Sequence, residues 1–242
     1  MAISGLVAFG YIIGHMLGNL QIFLGQDKLN AYAETLHSLG GGLWVIRIVL
    51  LFFFVLHIWL GIKLKAENMQ AKPVKYKFNN TVKASLASRT MIWTGLTVLA
   101  FFIYHVLHFT ARTTDPRFLK LPLDMEGRYD VYSMVILGFQ NYAISIFYIV
   151  AVGLLCYHLS HGIYSMFQSL GLTTSSCNKP LHRVARLIAV IVFLGFSAVP
   201  AAVLSGAVKR PATDASASQS QLVQSLAQVS ATQVSAPEGH TK

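Results

Sequence analysis

Five long apolar runs, at about 2–24, 43–62, 91–111, 142–167 and 184–208, constrain this chain more than any other feature. Each reaches or exceeds the roughly 20 residues that carry an α-helix across about 30 Å of hydrocarbon. None is amphipathic along its whole length, as expected where lipid is the outer solvent. No sheet pattern competes. The composition agrees: of 242 residues, 54% are hydrophobic and 12% charged, against about 25% charged in soluble domains. The expected fold is all-α, a membrane bundle of five transmembrane helices over 1–208, followed by a tail, 209–242. The tail is polar and low in complexity, and is expected to be disordered.

The formal charge of +10 is read by where it sits in a membrane protein, not as a sign of nucleic acid. The connection 63–90 holds Lys63, Lys65, Lys72, Lys75, Lys77, Lys83 and Arg89 against Glu67 alone. The connection 168–183 holds Lys179 and Arg183. By the positive-inside rule both face the cytoplasm, with the N-terminus inside and the C-terminus outside. The first run is too long for a signal h-region and lacks a basic n-region, so it is expected to be a retained helix.

Four of these runs carry a histidine: His15, His57, His105 and His158. An ionisable side chain inside a bilayer is costly and usually functional. With the first and third helices running outward, His15 and His105 lie roughly 20 Å from the inner surface at 1.5 Å per residue. With the second and fourth running inward, His57 and His158 lie about 6–9 Å from it. Depth therefore pairs His15 with His105 and His57 with His158. Two pairs of imidazoles at two levels suit the axial ligation of two haems. Cys156 and Cys177 are too few for an iron–sulfur cluster, and the absence of Cys-x-x-Cys-His makes any haem b-type.

Neighbouring residues fit around these levels. His108 and His161 follow His105 and His158 by three residues, at less favourable depths, and are expected beside the ligands or at the interface. Gly61 and Gly162 stand at i+4 from His57 and His158, and Gly14 and Gly18 flank His15. Such glycines leave room for a flat macrocycle or for helix packing. Arg47 and Arg89 lie near the two levels and are candidate partners of haem propionates; snorkelling and a positive-inside anchor are their alternatives.

At these residues the chain resembles the diheme cytochrome b membrane anchor of succinate:quinone oxidoreductases, including fumarate reductases, in its single-subunit, five-helix cytochrome b558 form. The resemblance is carried by GHMLGNLQIFLGQDKLNAYAETLH (14–37), His57 with Gly61, SRTMIWTG (88–95), YH at 104–105 and YHLSHGIYSMF (157–167). It covers about residues 1–205. It implies two haem b groups, a distal one between His15 and His105 and a proximal one between His57 and His158. It implies iron–sulfur and flavoprotein subunits on the cytoplasmic face, a quinone (menaquinone) as redox partner in the membrane, and a bacterial inner membrane. Tyr32, Glu34 and His37 are candidate quinone residues, and a cytoplasmic-side site near Ser88 and Arg89 is the alternative. One departure is Cys156, where some diheme fumarate reductases carry a glutamate used in proton transfer; a buried thiol does not replace it. Other readings are the cytochrome b subunit of a hydrogenase or formate dehydrogenase, and a haem-free transporter.

Overall fold

A computed structural model describes residues 1–71, 86–174 and 176–211. Lys72, Lys75, Lys77 and Lys83, the Ser88 side chain and residues 212–242 lie outside the described residues. The elements are α1 (Ala2–Leu20), α2 (Gln26–Ser38), α3 (Gly41–Gln70), α4 (Leu86–His105), α5 (Val131–Phe139), α6 (Tyr142–Ser169) and α7 (Asn178–Leu204). A 3-10 turn carries α1 on to Leu24, and a π-turn, Val106–Thr110, continues α4. Five helices are long and apolar enough to cross a membrane: Ala2–Leu24, Gly41–Gln70, Arg89–Thr110, Tyr142–Ser169 and Asn178–Leu204. Among the described residues there is no strand, only an isolated bridge between Leu123 and Tyr129.

Helix ends depart from the apolar runs for local reasons. The second helix continues from the expected 62 to Gln70, through helix-forming Lys and Glu residues and a Lys63–Glu67 pair at 3.7 Å. The last helix starts at Asn178 rather than 184, with Pro180 tolerated in its first turn. It stops at Leu204 rather than 208, where Gly206 takes φ +74° and turns the chain out. The segment α5 is apolar yet too short to span, and it packs as a buried helix beneath the polar connection before it.

The long helices are arranged so that α1 neighbours α3 and α6, and α4 neighbours α3 and α6. Thus α1 and α4 oppose each other on one diagonal, and α3 and α6 on the other. The helix α7 packs outside this ring against α6 and α1. Its small Ala185 and Ala189 let α6 approach closely, with Leu159, Ile163, Cys156 and Met16 filling the seam. By contrast α3 buries no residue in the protein, as a helix largely surrounded by lipid tails would.

One end of the bundle is closed by a cap of α2, α5 and the connection 111–130. Its centre is Asn30, fully buried, whose amide donates to Asp124 (3.0 Å) and Asp130 (3.2 Å) and whose oxygen accepts from Tyr132 N–H (3.0 Å). Arg128 donates from Nε to Asp124 at 2.8 Å and also bridges to Asp27 and Glu126. Burial alone raises the Asp124 pKa, but the hydrogen bonds from Arg128 and Asn30 outweigh it and hold the carboxyl below its usual range. A carboxyl depressed in the fold stabilises it above the unfolded pKa and loses that contribution as pH falls through the folded value.

Two outcomes follow for thermal unfolding in detergent. Asn30→Leu takes one hydrogen bond from each of Asp124 and Asp130, leaves the Tyr132 N–H unpaired and lowers stability by about 2–4 kcal/mol, while exposed Lys28→Ala stays within about 0.5 kcal/mol. The cap keeps its full stability at pH 6 and loses it below about pH 4.

Candidate functional site

The four intramembrane histidines stand one on each helix of the inner ring, and they meet across its diagonals. The rings of His15 (α1) and His105 (α4) have centroids 5.7 Å apart and planes at 82°. Those of His57 (α3) and His158 (α6) are 6.4 Å apart, with planes at 72°. The depth arithmetic joins the same two pairs. The first pair lies toward the cap, and the second lies toward the bundle end that holds Met1.

These spacings admit one metal atom per pair. Two metal–imidazole bonds of about 2 Å, plus about 1.1 Å from each nitrogen to its ring centre, separate the centroids by about 6 Å. Among the described residues no three His, Cys, Asp or Glu side chains gather around one point. A pair of imidazoles could offer two nitrogen ligands to one metal, and a macrocycle would have to supply the others. The donor set fits bis-histidine haem.

Each far-side histidine is held by the neighbouring antiparallel helix. Ser4 Oγ lies 3.3 Å from His57 Nδ1, and Thr94 Oγ1 lies 3.1 Å from His158 Nδ1. The next residue is glycine in both cases. A Cβ at Gly5 would meet His57 Cε1 at 3.4 Å, and one at Gly95 would meet His158 Cε1 at 3.4 Å. The cap-side rings are instead packed among aromatics: Tyr11 stacks on His15 (5.5 Å, 12°), Phe196 lies 5.8 Å from it, and Phe101, Phe109 and Tyr148 surround His105.

Ser4, Gly5, Thr94 and Gly95 carry no expectation from the sequence reading, although a signal for them exists. On both α1 and α4 a hydroxyl residue followed by glycine precedes the histidine by eleven positions. Eleven residues make about three turns, so the hydroxyl and the histidine share one face. Each of these two helices thus presents its own imidazole at one level and a partner for a neighbour's imidazole at the other.

The remaining candidates are more scattered. Arg47 is exposed on α3 with its guanidinium over Trp44 at 5.1 Å, and Arg89 is exposed in the first turns of α4. Gly162 and Gly14 face open space, whereas a Cβ at Gly61 would meet Met1 Cε at 3.1 Å. Gly18 serves packing: the ring of Tyr32 on α2 sits 2.8 Å from where its Cβ would be. Glu34 and His37 lie exposed on α2, and His37 Nδ1 donates to the carbonyl of Ala33 at 2.8 Å. Tyr32, Glu34 and His37 are therefore not gathered into one pocket. His161 pairs with Ser165 Oγ at 3.0 Å.

Of the two places expected for His108, the structure gives the one beside the ligands and not the interface. The π-turn after His105 carries it into the protein, where it is fully buried with Nδ1 2.9 Å from Tyr148 Oη and its ring stacked on Phe118. Cys156 faces the α6–α7 seam rather than a polar path.

No family model, curated protein sequence or solved structure matches this chain. The geometry of the four histidines is therefore the main guide to its chemistry.

Gly18→Val drives a branched side chain into the Tyr32 ring. It is expected to cost about 1–3 kcal/mol of thermal stability, and Gly14→Val, which meets open space, is expected to cost less; differential unfolding of the two variants in detergent checks this.

Proposed function

We propose that this chain is the membrane-anchor cytochrome b subunit of a succinate:quinone oxidoreductase, carrying electrons through two b haems between an iron–sulfur subunit and a membrane quinone. The observation that carries the reading is the meeting of four imidazoles in two pairs across the diagonals of a lipid-spanning bundle. The step from haem protein to succinate chemistry rests on the sequence resemblance.

In this reading His15 and His105 hold one haem, and His57 and His158 hold the other. Bound haem supplies one-electron ferric–ferrous exchange. The chain itself fixes the rings, excludes water with Phe101, Phe196 and the α6–α7 seam, and sets the two levels close enough for electron transfer. Arg47 on α3 and Arg89 on α4 offer positive charge to propionates. Tyr32, next to His15 through Gly18, is the most favourably placed of the proposed quinone residues, with Glu34 and His37 farther out on the same helix.

The chain has no role in the proposal as the catalyst of succinate or fumarate interconversion; that belongs to a flavoprotein partner. The basic 63–90 side is proposed to face the cytoplasm of a bacterium and to receive the iron–sulfur subunit. The cap is then on the outer face, the quinone is menaquinone, and the complex works in the respiratory chain and the tricarboxylic acid cycle.

A reduced-minus-oxidised spectrum of the purified full-length protein tests this. It is expected to show b-type bands with two haems per chain, and His57→Ala and His105→Ala are each expected to lose one. A colourless preparation made with ample haem supply, or two haems retained in both variants, contradicts it. Succinate:quinone activity that appears only when the chain is assembled with its iron–sulfur and flavoprotein partners tests the remaining step; electron delivery from hydrogen or formate instead would assign it to another oxidoreductase.

A further inference from the structure

The two histidine pairs do not have the same hydrogen-bond surroundings. Ser4 Oγ lies 2.9 Å from the carbonyl of Met1 and 3.3 Å from His57 Nδ1. Thr94 Oγ1 lies 3.1 Å from the carbonyl of Met91, 3.3 Å from that of Thr90, and 3.1 Å from His158 Nδ1. A hydroxyl has one proton to give, and a carbonyl accepts only. Each hydroxyl has a backbone carbonyl within donating reach, and the Met1 and Met91 backbones also face the His57 and His158 rings. The contact with the imidazole then runs the other way, with Nδ1–H donating and the hydroxyl oxygen accepting. That tautomer leaves the Nε2 lone pair free on both rings. Ser4 and Thr94 are 2% and 8% exposed, so water does not compete for the contact.

The cap-side pair lacks this arrangement. Beside His15 the nearest polar side chain is the Asn19 amide, a donor 3.3 Å from Nε2 and 3.4 Å from Nδ1, already donating to the His15 carbonyl at 2.8 Å. Among the described residues the His105 ring has aromatic neighbours and no hydrogen-bond acceptor.

We infer that Ser4 and Thr94 are positioning residues for the far-side pair, fixing the tautomer and ring plane of His57 and His158 and making them more electron-rich ligands than His15 and His105. The inference rests on the two-haem reading. An acceptor on the outer N–H of a ligating imidazole raises its basicity, and a more basic ligand favours ferric over ferrous iron. Gly5 and Gly95 complete the holder, since a Cβ at either would stand 3.4 Å from the ring's Cε1, next to the bonded nitrogen. The same hydroxyl–glycine pair on both α1 and α4 treats the two rings alike, so both ligands of one haem are tuned together.

Potentiometric titration of the purified full-length protein tests this. Thr94→Val keeps the volume and removes the hydroxyl acceptor beside His158, and Ser4→Ala removes the one beside His57, each leaving the backbone contact in place. Each is expected to raise the midpoint of the haem that His57→Ala abolishes, by about threefold to tenfold in the ferrous-to-ferric ratio, tenfold being about 59 mV for one electron. The other haem keeps its midpoint. Thr94→Ser retains the hydroxyl and the wild-type value. Unchanged midpoints in Thr94→Val and Ser4→Ala, or a shift in Thr94→Ser as large as in Thr94→Val, overturn the inference while the two-haem reading stands. A wild-type protein without haem overturns both.

Discussion

A neutral imidazole in hydrocarbon keeps a lone pair and an N–H that lipid cannot satisfy, and this chain places four such rings inside one bundle. The architecture answers that constraint. Helices adjacent in the ring run antiparallel and lend each other hydroxyls, as α1 does to α3 and α4 to α6. Helices opposite each other bring imidazole to imidazole, at 5.7 Å and 6.4 Å. Neighbours thus offer polar partners to His57 and His158, while His15 and His105 are packed chiefly among aromatic rings. The helix α7 stays outside this division of labour and supplies packing, through Ala185, Ala189 and Val192.

The cap obeys a different rule. It is polar and held by a desolvated network in which Asn30, Asp124, Asp130 and Arg128 satisfy one another. Asp130 also caps α5 through Ser133 N–H, and Asn141 caps α6 through Ala143 and Ile144 N–H, so the cap fixes where α6 begins. The register of His158 along α6 is counted from that start.

Much of this was legible in the chain because lipid makes the code simple. Apolar runs gave five spans, and counting residues from their ends joined His15 to His105 and His57 to His158. Three things escaped for physical reasons. The α5 segment is as apolar as a span but too short for one, so its burial depends on a cap that only tertiary contacts create. The π-turn that draws His108 inward adds one residue to a helical turn, which periodicity arguments cannot foresee. Ser4 and Thr94 look like ordinary small residues of membrane helices until the neighbouring helix sets a histidine against them. Gly18, beside His15, suits either a macrocycle or helix packing by sequence, and it packs against the Tyr32 ring.

In the proposed function, imidazoles at steep mutual angles, 82° and 72°, would hold two haem irons. Ring planes close to perpendicular leave the two dπ orbitals of low-spin ferric iron nearly degenerate, and the resonance becomes strongly anisotropic. Low-temperature EPR of the oxidised full-length protein reads this directly. The account predicts two strongly anisotropic low-spin ferric signals. A spectrum without low-spin iron, or with only the rhombic signals of parallel imidazoles, contradicts it.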